Sequence, residues 1–174
     1  MFVLGIDPGL SRCGYGAVER SGRTRRAVAA GVITTPPSWE VPRRLASLQR
    51  EVRALIAELR PDVVAIERVL FQVNVRTAMS VGQASGIVMA EAAGVGCQVV
   101  EYSPNEVKEA VAGYGAADKQ QVARMVQTIL GLTTVLKPVD ASDAIAVALC
   151  HLARLPGSHT GGLPAGPRGL GVAR

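Results

Sequence analysis

Aromatic side chains are scarce in this 174-residue chain: Phe2, Phe71, Trp39 and three tyrosines. Alanine, valine and leucine must therefore fill the core, and an exposed aromatic carries extra information. Cysteine is rarer still. Cys13, Cys97 and Cys150 are odd in number, widely spaced and never paired as Cys-x-x-Cys, which excludes a disulfide scaffold and a cysteine zinc site. Each lies in an apolar stretch and is expected to act as a small buried hydrophobe. No apolar run approaches the roughly 20 residues of a membrane span. The N-terminus has no basic segment and Asp7 interrupts its apolar run, so it does not read as a signal peptide. A soluble, cytoplasmic protein is the expectation.

What is present is a body rich in small aliphatics, 48% hydrophobic, with a formal charge of +5. The basic balance mildly favours a polyanionic partner. One domain is expected over residues 1–155. The segment 156–174 follows, in which 9 of 19 residues are Gly or Pro, a composition that predicts a disordered tail. Three strands open the domain: Phe2 to Asp7, Cys13 to Glu19 and Ala27 to Thr34, the last two joined at Ser21-Gly22. Pro36-Pro37-Ser38 breaks this antiparallel meander. A helix from Val41 to Leu59 carries Leu45, Leu48, Val52, Leu55, Ile56 and Leu59 at helical spacing. Val63 to Glu67 reads as a strand covered on both faces. A helix from Arg76 to Ala93 presents Gly82 and Gly86 on one face, and Val95 to Tyr102 reads as a strand. Helices follow from Pro104 (with Val107 and Val111), from Lys119 to Leu130 (with Val122, Met125, Val126 and Ile129 inward) and from Ala141 to Ala153. The sum is an α/β fold built on a mixed sheet.

Four carboxylates stand at the edges of apolar runs. Asp7 ends Phe2–Ile6, Glu67 ends Val63–Ile66, and Asp140 and Asp143 open Ala144–Leu149. Burying a lone carboxylate costs roughly several kcal/mol unless its charge is compensated. A pair of divalent cations would compensate all of them. Magnesium takes hard oxygen ligands, and two such ions can activate a water and stabilise the leaving oxygen of a phosphodiester. Asp140 and Asp143, three apart, share a helix face. Singly, each carboxylate also has a plain reading: helix cap, first-turn partner of the helix dipole, turn residue, or surface ion pair.

The same residues carry a family resemblance. Gly5-Ile6-Asp7-Pro8-Gly9-Leu10-Ser11-Arg12-Cys13-Gly14-Tyr15-Gly16 resembles the opening block of the RuvC-type Holliday junction resolvases. Ile66-Glu67-Arg68-Val69 with Asn74 and Val81-Gly82-Gln83-Ala84, then Tyr102 to Lys108, Asp118 to Val122, and Asp140 to Ala148, resemble the blocks that follow. The resemblance spans roughly residues 1–153, in order. It implies a ribonuclease-H-like mixed five-stranded sheet with helices on both faces. It implies magnesium-dependent paired nicking of four-way DNA junctions by a homodimer, with two Mg2+ per site and Mn2+ as a substitute. It also implies work in concert with a branch-migration motor of the RuvA and RuvB type. Asp7, Glu67, Asp140 and Asp143 are assigned as metal ligands, and Lys108 and Lys119 as basic residues beside the scissile strand. An ammonium there would hold a phosphate or stabilise developing negative charge.

One position departs from the family pattern. Where an aromatic commonly stands three residues after the glutamate, this chain has Leu70, followed by Phe71. Phe71 is the candidate to stack on an unpaired base, a contact worth roughly 1–3 kcal/mol; a core position is its alternative. Three other functions compete with the resolvase: an actin-like phosphotransferase, for which the chain is short, a non-catalytic junction-binding module, and a nuclease for RNA precursors.

Overall fold

The computed structural model describes residues 1–68 and 75–155. Leu70, Phe71 and Asn74, and the Gly/Pro-rich segment 156–174, lie outside the described residues.

Five strands form one mixed sheet in the order β3-β2-β1-β4-β5. β1 (Phe2–Asp7), β2 (Arg12–Ser21) and β3 (Thr24–Thr34) make the antiparallel meander. β4 (Val63–Glu67) and β5 (Gln98–Tyr102) join parallel to β1. The central strands are apolar on both faces, as a doubly covered sheet requires. Leu4, Ile6, Val64 and Ile66 point to one side and pack with α1 (Val41–Leu59) and α2 (Val75–Gly94). Val3, Val63 and Ala65 point to the other and pack with α3 (Pro104–Ala112), α4 (Lys119–Leu130) and α5 (Val139–Arg154). Along α1 the deepest residues are Leu48, Val52 and Ile56, one per turn. Burying each such side chain contributes roughly 1.5–3 kcal/mol.

The helix α5 is the axis of the second layer. From Ala141 to Leu152 nearly every residue is buried, because it crosses β1 and β2 in direct contact. Glycines in the strands permit that approach. A Cβ at Gly5 would overlap the Ala144 carbonyl oxygen, and one at Gly14 the Asp140 carbonyl oxygen. Both strands must therefore lack a side chain where α5 lies on them.

Several local expectations change. β5 starts at Gln98 rather than Val95, since Gly96 adopts φ +76° in the turn that closes α2 and leaves Val95 exposed. Met125 is on the outer side of α4; Val122 and Val126 are the buried stripe, with Ile129 packed at its edge. Cys13 and Cys150 are buried and free, whereas Cys97 is only half-buried, its Sγ 3.3 Å from the Pro61 carbonyl oxygen. Among the described residues, a Cβ added at Gly82 or Gly86 would meet open space. Among the described residues no helix is long and apolar enough to cross a membrane.

Candidate functional site

Strand parity sets the floor of the site. Ile6 pairs with Ile66 across parallel strands, so the next residues, Asp7 and Glu67, end side by side at one edge of the sheet. Asp7 shares the parity of Val3 and Gly5, and Glu67 that of Val63 and Ala65, so both project toward the α3–α5 layer. There they meet Asp143 and Ala146 from α5, Pro104, Val107 and Lys108 from α3, and Lys119 and Val122 from α4. These residues line one open cleft of about 210 Å³.

Capping fixes how the two helices present their lysines. Ser103 caps α3 by accepting from the Glu106 backbone N–H, and Glu106 accepts in return from the Ser103 N–H at 2.8 Å. Glu106 also receives Arg154 at 2.7 Å, tying α3 to α5. Asp118 and Gln121 make the same reciprocal pair at the start of α4, which sets Lys119 at its first turn. Both capping boxes were readable as Ser-x-x-Glu and Asp-x-x-Gln, a signal passed over in the sequence reading.

The floor carries more negative charge than it neutralises. Burial first, then repulsion from Glu67 and Asp143, pushes the Asp7 carboxyl up to about 7, against a smaller opposing pull from Lys119. Burial and the nearby Asp143 raise Glu67 as well, opposed by Lys119 and Lys108. The Lys119 ammonium donates to Asp143 Oδ2 at 2.9 Å, and that bond holds its proton more firmly.

Asp140 stands apart. It does not line the cleft; its Oδ2 accepts from Arg12 Nε at 3.1 Å and Nη2 at 2.7 Å. This contact with Arg12 lowers its carboxyl below the ordinary range. Arg12 opens β2, immediately after the Pro8–Ser11 turn. The sequence reading contained Arg12 in the opening block but gave it no role.

The structure thus brings five of the sequence-predicted residues, Asp7, Glu67, Lys108, Lys119 and Asp143, around one cleft, and leaves Asp140 at its rim. Phe71 lies outside the described residues. His151 is buried away from the cleft lining, with its Nδ1 2.8 Å from the Tyr102 hydroxyl. The donor set, several carboxylates that repel one another on a buried floor, fits a hard divalent cation. Among the described residues no three carboxylate, imidazole or thiol groups are already gathered to enclose one. Lys119 and Arg12 each engage one of the two α5 carboxylates instead.

Comparisons with known proteins identify the family and the fold. The family described as crossover junction endodeoxyribonuclease RuvC matches residues 3–151. The chain is 49% identical to the enzyme of that name from Chloroflexus aggregans, over 90% of this chain and 95% of the relative. It is 51% identical to that from Salinispora arenicola, over 88% and 89%. Among solved structures, Thermus thermophilus RuvC superposes with a TM-score of 0.81 at 37% identity, covering 87% of this chain and 93% of that one. The fold is the ribonuclease-H-like one of these neighbours. The chain belongs to the RuvC family of crossover junction endodeoxyribonucleases.

Proposed function

We propose that this nuclease cuts four-way DNA junctions by paired nicks at the Asp7 cleft, with divalent magnesium held by Asp7, Glu67 and Asp143 and by Asp140 once it turns inward. The observation that carries the reading is the floor itself. Two carboxylates end adjacent parallel strands, a third faces them, and burial together with these carboxylate neighbours drives the Asp7 carboxyl up to about 7, against a smaller pull from Lys119. The Thermus thermophilus relative has been solved in complex with Holliday junction substrate, which supports the substrate class.

When bound, the cation would supply an activated water and charge stabilisation for the leaving oxygen, with manganese able to take its place. The chain's own residues do the rest. The carboxylates orient on rigid strand ends and on the first two turns of α5. Lys119 lies beside Asp143 and Lys108 lines the same cleft, so both ammonium groups can hold the backbone phosphate that enters. Phe71, four residues beyond Glu67, is proposed to stack on an unpaired base near the cut.

Paired nicks require two sites, and a two-fold dimer would match a two-fold junction. The proposed interface is the α2 face at Gly82 and Gly86, where an added Cβ meets open space among the described residues, with Met79 exposed nearby. A branch-migration motor of the RuvA and RuvB type is the proposed cellular partner, and the cytoplasm its place of work.

The test is a synthetic four-way junction with magnesium beside a linear duplex of the same sequence, with Asp7→Asn in parallel and light scattering to give the mass. Paired cuts in the junction alone, abolished by Asp7→Asn while binding persists, are expected, together with a dimeric mass. Junction binding without cutting in magnesium or manganese, across several junction sequences, would leave a structure-specific binding protein instead.

A further inference from the structure

The two carboxylates that α5 contributes sit three residues apart but are drawn to opposite sides. Asp143 goes to Lys119 within the cleft; Asp140 goes to Arg12 outside its lining. Arg12 spends both of its contacts on the same oxygen, Oδ2, and is not the two-oxygen fork that makes an arginine–carboxylate pair tight. Its side chain is 50% exposed, in reach of water and of a polyanion outside. Pairs so exposed are weak and easily exchanged.

The backbone that carries Arg12 is, by contrast, anchored. The Thr35 hydroxyl donates to the Leu10 carbonyl, and the Thr35 N–H donates to the Ser11 carbonyl at 3.2 Å. Arg44 donates from Nε to the Thr35 hydroxyl at 3.0 Å and from Nη2 to the Ser11 hydroxyl. The turn is pinned from α1, so any exchange of partners by Arg12 is a swing of its side chain alone.

We propose that Arg12 is a positioning residue with two alternative partners. It holds Asp140 at the rim until a divalent cation claims that carboxylate, and then binds a phosphate of the DNA backbone. The inference rests on the metal reading above and adds a consequence to it. Metal and DNA become coupled through one guanidinium: each removes the competitor that the other must displace. Coupling of this kind is reciprocal, so metal tightens DNA binding by the factor by which DNA tightens metal binding.

The experiment is calorimetric titration of magnesium into the full chain without DNA, for wild type, Arg12→Gln and Arg12→Lys, each first checked for an unchanged thermal melt. Junction affinity is then measured by fluorescence anisotropy in EDTA and in calcium. Arg12→Gln should bind magnesium about two- to fivefold more tightly than wild type, since Asp140 no longer has a competing cation. The same variant should lose most of the gain in junction affinity that calcium gives the wild type, and its affinity in EDTA should change little. Arg12→Lys should restore part of both effects, which a merely structural role would not produce. Magnesium affinity in Arg12→Gln equal to or weaker than wild type overturns the proposal while leaving the metal site standing. No magnesium binding by any of the three proteins removes the metal reading and this inference with it.

Discussion

The floor and the rim of the cleft treat the same chemical group in opposite ways. On the floor, Asp7 is largely buried, faces two other carboxylates and is pushed up to about 7. At the rim, Asp140 is only partly buried, lies beside a guanidinium and is lowered. Both are aspartates at the edge of an apolar run, and both are expected to serve one site. The difference shows that the strain of gathering negative charge is borne where the carboxylates are buried together, and that the more open end is kept in balance by the protein's own cation. A divalent ion therefore has most to offer at the floor.

The largest expected effect comes from breaking the floor. A carboxyl whose folded-state value lies above its ordinary 3.8 holds its proton more firmly in the folded protein. Its contribution to stability is therefore fully present below about pH 4 and is lost as the pH rises toward 7. The cost at pH 8, without metal, is on the order of 4 kcal/mol. Asp7→Asn should remove that cost: the variant should melt well above wild type at pH 8 in EDTA, and close to wild type at pH 4. The comparison must be between the two proteins at each pH. Glu91 and Glu106, held down to about 2 by Arg53 and by the Ser103 cap respectively, act in the opposite sense as acid protonates them. Magnesium at pH 8 should raise the wild-type melt and leave the variant nearly unchanged. A wild type no less stable than Asp7→Asn at pH 8 would show that the floor carries no such strain.

The four carboxylates were visible in the sequence, where all four read alike as one shared site; their division into floor and rim was not. Asp7 and Glu67 each end a short apolar strand, so they would share one edge if the two strands lay parallel and adjacent, which the β1–β4 pairing supplies. Asp143 could be placed by its three-residue spacing from Asp140, whereas Lys119 was marked as a site residue only by the family resemblance. The partner of Asp140 was not visible, because Arg12 lies 128 residues away in the chain and meets it only through the crossing of α5 over β2. That crossing depends on Gly5 and Gly14, and a glycine in a strand does not name the helix that will lie on it. Met125 was misjudged for a simpler reason. Apolar spacing defines a stripe, but not where its edge meets solvent, and methionine is at home on either side.

Lys119 links the two ends, and its removal should have the next largest effect. It is bonded to Asp143 and its charge also bears on Asp7, Glu67 and Asp140. Lys119→Gln deprives the cleft of a fixed cation, and if the proposed phosphate contact holds, a loss of about 100-fold in single-turnover junction cleavage is expected. Junction affinity should fall much less, since one phosphate contact among many is lost. Equal losses in both would mean that Lys119 holds DNA without favouring the cutting step.

The smallest effect should come from the rim, and its smallness is informative. Asp140→Asn removes the acceptor charge from Arg12, but Arg12 is half-exposed and Asp140 only partly buried. In EDTA the melting temperature should move by no more than about 3 °C. It should also show little of the pH dependence that sets Asp7→Asn apart from wild type, because an exposed carboxylate already paired gains little from losing its charge. If Asp140 nonetheless joins the cation, the same substitution should weaken magnesium binding and slow cleavage severely. A residue nearly silent in the metal-free melt yet indispensable in the metal-bound reaction is what a carboxylate with two partners requires. A variant that melts far below wild type in EDTA would instead place Asp140 among the residues that hold α5 on the sheet.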